Sequence, residues 1–282
     1  MVYCHVGVFS SISLSGNGLT VILLEEEIET PYMQRIAEEF KQFETVFLRQ
    51  IGEKSFRARI FTVEEELNIA GHPILGAIAA IHERLYPEEK SITAVFELNC
   101  KTLQAESMNK DGYFQATMNQ GIPQFLGIVE GEKKNIYLQA LNLTADNLHP
   151  ALPMEVVSTG LPYLIVPLAS GLEQAKISVN NFEMQLSKIH AKFVYVFDVA
   201  VMEGRTWDNS GKVEDVATGS AAGPTGAYLS KWGICKASEG ITINQGRFVG
   251  RPSKIKVLTD PSTGEVKVAG DVKIVARGHL LI

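Results

Sequence analysis

Two stretches decide how this chain folds: AGHPILGAIAAIHERLYP, residues 70–87, and ATGSAAGPTGAYLSKWG, residues 217–233. A helix lying on a protein surface keeps a polar face, and neither stretch has one. From Pro73 to Ile81 the first is apolar on every side, and only His82-Glu83-Arg84 is polar. The second is likewise polar only near its end. Each is therefore read as a helix surrounded by protein, with its last turn reaching water. A helix start carries unpaired N–H groups and the positive end of the helix dipole. Starts built from Gly71-His72 and from Thr218-Gly219-Ser220 let a ligand approach the backbone without a Cβ in the way. Such starts bind a carboxylate or other negative charge. The glycines also suit tight helix–strand packing, as do Ala221, Ala222, Gly223, Gly226 and Ala227. The two readings are compatible.

Working outward, each buried helix has strands around it. Residues 2–9 and 18–24 are β-rich and flank the turn-forming SSISLSGNG, so they read as a strand pair. Thr30-Pro31 opens a helix with Thr as N-cap and Pro at its first position. Met33, Ile36, Phe40 and Phe43 give that helix one apolar face. Strands are expected at 45–50, 55–62, 92–98, 101–107 and 112–119. The second half repeats the plan, with strands at 154–159, 162–168, 193–201, 254–259, 264–269 and 272–281. The fold class is thus α+β. The expected lobes are 1–115 and 116–274, with the last strand, about 275–282, a candidate to return to the first.

Composition narrows the function classes. The 282 residues are 45% hydrophobic and 21% charged, ordinary globular values, and the net charge is −6. An acidic balance argues against a nucleic-acid partner, which would need a basic footprint. No apolar run approaches the ~18 residues that span a bilayer, so no membrane role is expected. MVYCHVGVFS lacks a basic leader and a cleavage site and reads as the first strand. The three cysteines, Cys4, Cys100 and Cys235, form no C-x-x-C pair. They are expected to be buried small hydrophobes in a reducing compartment, most simply the cytoplasm, and suggest neither a disulfide framework nor a metal site.

Candidate proton handlers lie near the helix starts. Glu44, between Phe43 and Thr45, is placed at the end of the first helix, just before an apolar strand. It is either a solvated helix-end carboxylate or a partly desolvated acid/base. His72 either meets substrate or caps its own helix. Asp215, preceded by Glu214, either orients a substrate or caps the second helix.

These same segments carry a family resemblance. GHPILGA at 71–77 resembles the G-H-x-x-L-G-A segment of phenazine-biosynthesis PhzF-like proteins. EDVATGSAAGPTGAYL at 214–229 resembles their E-D-P-x-T-G-S-A-A-G-P-x-G-A-Y-L signature nearly residue for residue. SGNGLTVIL at 15–23, FETVFL at 43–48, RARIFT at 57–62, STGLPYLIVPL at 158–168 and QGRFVGRPSKIKV at 245–257 match in the same order. The resemblance covers nearly the whole chain.

It implies the diaminopimelate-epimerase-like fold: two similar lobes, each a curved sheet around a central helix, with the active site in the cleft between them. It also implies a homodimer that uses no metal and no organic cofactor. The implied activity is an isomerisation that moves a proton on a small cyclic or aromatic-type carboxylate. By motif position the acid/base is Glu44, His72 and Asp215 join it, and Asn17, Gly71, Gly219 and Ser220 bind substrate. A non-catalytic small-molecule binder keeping the same cleft is the alternative, and a pure interaction protein a third. Cysteine-dependent epimerases of this fold need a thiol in each lobe. Asn17-Gly18-Leu19 and Thr218-Gly219-Ser220 provide none, which disfavours two-thiol chemistry. Phe43, Pro73, Val216 and Trp207 depart from the family pattern, and Phe43 and Trp207 are expected to reshape the pocket.

Overall fold

The computed structural model describes residues 1–68 and 70–282, with Ser238 described by its backbone alone. The chain divides into two units, Met1–Asn119 with Ala269–Ile282, and Gln120–Val268.

In the first unit, β1 (Val2–Val8) runs antiparallel to β2 (Asn17–Leu24), and α1 (Thr30–Phe40) carries the chain over to β3 (Glu44–Gly52). β3 lies parallel to β2, with Leu19 opposite Glu44. β4 (Ser55–Phe61) pairs antiparallel with β3 and with the short β5 (Glu66–Leu67). α2 (Gly71–Leu85) follows, then β6 (Ser91–Glu97), β7 (Thr102–Asn109) and β8 (Phe114–Gly121). α2 packs against β1, β2, β3, β6 and β7. Its residues His72 to His82 are all buried, Pro73 to Ile81 as an all-round apolar stretch requires and His82 with its ring nitrogens on Ser107 Oγ and Glu89 O. α1 covers another surface through Met33, Ile36 and Ala37, which cluster with Ile22, Phe47 and Phe61.

The second unit contains β9 (Gln124–Val129), α3 (Lys133–Ala140), β10 (Met154–Ser158), β11 (Pro162–Leu168), α4 (Phe182–Ser187), β12 (Phe193–Asp198) and β13 (Glu203–Arg205). Then come α5 (Gly219–Lys231), β14 (Ile241–Gln245), β15 (Ser253–Thr259) and β16 (Val266–His279). The chain leaves the first unit within β8 and returns to it within β16. α5 packs on β10, β11 and β15, and Ala221 to Leu229 are buried throughout. The small α3 and α4 contribute Tyr137, Leu138, Phe182 and Leu186 to the second unit's core. Their apolar content is too low and their length too short for periodicity to find them. β9, β13 and β14 are also absent from the expected strands, being short or, in β9, exposed along most of their length.

Four expectations need correction. Thr30 lies inside α1 rather than capping it. The N-cap is Glu29, without a side-chain cap, and the Thr30 hydroxyl accepts from Arg59 Nη2 at 2.8 Å. The helix also stops before Phe43: Lys41 adopts a left-handed φ of 53° and its N–H donates to Ala37 O at 3.1 Å. Phe43 is therefore not part of the apolar face and is 41% exposed. Residues 264–269 and 272–281 are not two strands but belong mostly to one, β16. A Cβ on Gly270 would sit 2.3 Å from Phe9 Cδ1, so the glycine permits a close approach inside this strand. Finally, Cys4 is buried but Cys100 is exposed and Cys235 only half-buried.

The left-handed Lys41 yields the first prediction. A non-glycine residue there costs ~1–2 kcal/mol. Lys41→Gly removes that cost, offset partly by the freer unfolded chain. A net gain of about 1 kcal/mol is expected in denaturant unfolding. A loss of stability would mean that the Lys41 side chain does more than end the helix.

Candidate active site

Glu44 is the first residue of β3, not the last of α1. The difference matters, because a strand residue in fixed register is held by its neighbours and a fraying helix end is not. Glu44 stands opposite Leu19 of β2, two residues after the fully buried Asn17. His72 is the second residue of α2, and its Nε2 lies 3.1 Å from Glu44 Oε2. Both side chains are largely withdrawn from solvent, at 8% and 17% exposure for His72 and Glu44. Among the described residues, Glu44 Oε2 accepts no well-aligned hydrogen bond, so the imidazole contact is what the structure offers this oxygen. A carboxylate oxygen held beside an imidazole at a fixed strand position has the geometry to exchange a proton with a ligand. Gly71 opens α2 behind Ala70, an N-cap in extended conformation that makes no side-chain cap. A helix start of this kind is where backbone N–H groups and the dipole favour a negative group.

The remaining candidates belong to the second unit. Gly219 and Ser220 open α5 behind Thr218. Asp215 does not cap the helix by position; its carboxylate instead takes the Thr218 hydroxyl, with Oδ2 2.5 Å from Oγ1. Ser220 Oγ lies 2.8 Å from the Tyr163 hydroxyl. Gln120 reaches the same helix start, its Nε2 donating to Gly219 O at 3.0 Å. The structure thus brings Glu44 and His72 together in one unit, and links Asp215 through Thr218 to the start that carries Gly219 and Ser220 in the other. Trp207 is buried at 6% exposure in the second unit's core, with the Arg205 guanidinium 4.8 Å over its ring. Tyr163, Gln120 and Gln245 join the neighbourhood of α5 although sequence reasoning named none as a site residue. Gln245 begins the QGRFVGRPSKIKV motif, which was the available signal.

Among the described residues, no group of three or more His, Cys, Asp or Glu is arranged to hold a metal ion, and no helix is long and apolar enough to cross a membrane.

A family model described as "Phenazine biosynthesis-like protein" matches residues 6–278. The chain belongs to this family. A relative in Pseudomonas chlororaphis named trans-2,3-dihydro-3-hydroxyanthranilate isomerase is 31% identical over 297 residues, covering 99% of each chain. The solved structure of a predicted epimerase from Pseudomonas aeruginosa superposes with a TM-score of 0.93 at 41% identity, over 100% of this chain and 99% of that one. A probable proline racemase from Agrobacterium radiobacter superposes with a TM-score of 0.63 at 10% identity, over 100% of this chain and 93% of the other. That last likeness concerns the fold alone and agrees with the diaminopimelate-epimerase-like architecture. This phenazine biosynthesis-like protein is accordingly an isomerase. Its family signature falls on the two helix starts described above.

Proposed function

We propose that this isomerase moves a proton on a small cyclic or aromatic-type carboxylate by acid/base chemistry, with no metal or organic cofactor. The observation that carries the reading is the 3.1 Å approach of His72 Nε2 to the largely buried Glu44 Oε2. Glu44 removes a proton from a carbon next to an activating group, and the C–H electron pair moves into the adjoining unsaturated system. The resulting carboxylic acid returns the proton to another carbon as the pair relocates. Atoms and charge balance without an outside reactant. His72 steadies the carboxylate. Asp215, and Asn17, Gly71, Gly219 and Ser220, bind the substrate, with backbone N–H groups of the helix starts supporting its negative charge. On the family resemblance the protein is a homodimer, and on its unpaired thiols a cytoplasmic one.

The test is solvent exchange. Trans-2,3-dihydro-3-hydroxyanthranilate, which names the activity of one relative, heads a panel of cyclic and aromatic carboxylates incubated with enzyme in D2O. Isomerised product carrying carbon-bound deuterium is expected from at least one of them, read by mass spectrometry. Ligands that raise the melting temperature but show neither isomerisation nor exchange across the panel would replace this reading with that of a non-catalytic binder.

A further inference from the structure

We propose that Gln245 is a positioning residue that locks the loop Asp215–Thr218 ahead of α5 and commits the Thr218 hydroxyl proton to Asp215. The proposal rests on the reading of Asp215, Gly219 and Ser220 as substrate-binding residues.

Gln245 ends β14 and is 1% exposed. Burying a primary amide is costly unless each of its hydrogen-bonding positions is used, and here four partners converge on it. Thr218 N–H donates to Oε1 at 3.2 Å, and the Tyr195 hydroxyl donates to the same oxygen at 3.0 Å. Nε2 donates to Asp215 O at 3.0 Å and to Thr218 Oγ1 at 2.9 Å.

The orientation of this amide is dictated by its partners. A backbone N–H can only donate and a backbone C=O can only accept, so the atom facing Thr218 N is the oxygen and the atom facing Asp215 O is the nitrogen. Flipping the amide would break both bonds. The direction then propagates. Thr218 Oγ1 accepts from Gln245, so its own proton points to Asp215 Oδ2, 2.5 Å away. Asp215 Oδ2 accepts that hydrogen bond, and Ala217 N–H approaches its Oδ1 at 3.4 Å. Tyr195 is fully buried, and burial keeps its phenol protonated well above the ordinary range, so it remains a donor to Gln245.

Independent features press on the same loop. Gly246 has a φ of +86°, and a Cβ there would lie 2.5 Å from Val216 O and 2.3 Å from Arg251 O. On the other side, Asp215 N–H donates to Thr206 O at 3.0 Å. The Glu214 carboxylate is gripped by Arg205 Nε and Nη2 at 2.9 and 2.6 Å. The loop is thus held from both flanks. Of these contacts, the Gln245 amide both holds its backbone and, through Thr218, aims the Asp215 side chain.

The experiment compares Thr218→Val, Thr218→Ser, Gln245→Glu and Glu44→Gln with wild type. Amide hydrogen exchange is measured across residues 214–222, and KM and kcat are measured with trans-2,3-dihydro-3-hydroxyanthranilate as probe. Thr218→Val keeps the shape of threonine and loses the relay, and Gln245→Glu loses both donated bonds. Each is expected to speed exchange across 214–222 at least tenfold and leave the rest of the second unit unchanged. KM should rise tenfold or more with a smaller change in kcat, and Thr218→Ser, which keeps the hydroxyl, should stay within threefold on both readouts. Unchanged exchange in Gln245→Glu overturns the proposal whatever the turnover. So does faster exchange with unchanged KM, which would make the network merely structural. If Glu44→Gln keeps full turnover while Thr218→Val behaves as stated, the acid/base reading falls and the positioning role stands. If wild type does not act on the probe, exchange alone decides the locking of the loop, and a rise there with no substrate found counts against the substrate-binding reading instead.

Discussion

Glu44→Gln should lose at least the ~10²–10⁴ in turnover that a positioned acid/base supplies. Gln keeps the length, planarity and polarity of Glu, so the side chain still fits between β3 and the start of α2 beside His72. What it lacks is a group basic enough to take a proton from carbon. The loss should therefore fall on kcat, with KM close to wild type, the pattern of an interaction made chiefly in the transition state. Folding stability should shift by no more than about 1 kcal/mol, the scale of one polar contact. Carbon-bound deuterium should disappear from the product together with turnover. Steady-state kinetics and mass spectrometry on the same sample separate the outcomes. Full activity in Glu44→Gln would end the assignment, and His72 or Asp215 would have to carry the proton.

Gly76→Val should damage the first unit severely. A Cβ on Gly76 would stand 2.3 Å from Leu19 Cδ2, 3.0 Å from Val6 Cγ2 and 3.1 Å from Val8 Cγ2. Those three side chains are fully buried, so none has solvent to move into. In an exposed helix, replacing Gly by Ala gains up to ~1 kcal/mol from propensity. Here overpacking opposes that gain at ~1–3 kcal/mol, and the two extra methyl groups of Val push it to the upper end or beyond. Function should suffer in parallel. Leu19 is the residue opposite Glu44 in the parallel pairing of β2 and β3, and α2 carries His72. Lifting α2 off Leu19 lengthens the 3.1 Å approach of His72 to Glu44. Denaturant unfolding and turnover should fall together, with Gly76→Ala intermediate. A Gly76→Val protein within 0.5 kcal/mol of wild type, the ordinary scatter of neutral substitutions at about that size, would show that the helix start has slack.

The two central helices were legible because burial on all sides writes itself into every residue. Pro73 to Ile81 and Ala221 to Leu229 have no polar face, and both segments are buried helices. Glycines at their starts and the long signature at 214–229 made the α5 start a candidate ligand site and indicated the family. Local signals failed where a residue's meaning came from a distant neighbour. Residues 264–269 and 272–281 read as two strands, but Gly270 between them sits inside one strand, where Phe9 is what demands a glycine. Thr30 looked like a cap, and its hydroxyl instead serves Arg59. Glu44 is a candidate by type and motif, yet its setting differs from the expected helix end, since Lys41 ends α1 early and Glu44 begins a strand. The approach of His72 to that carboxylate, across 28 positions of chain, follows from the packing of α2 beside β2 and β3. Gln245 and Tyr195 lie further still from legibility. Their roles depend on hydrogen-bond direction among Asp215, Thr218 and their own side chains, brought together from β12, β14 and the loop before α5. Periodicity and motif report what one segment needs from its surroundings. Which atoms meet that need is set by strand register and helix packing, because a hydrogen bond is decided over a few ångströms and its partners here are far apart in the chain.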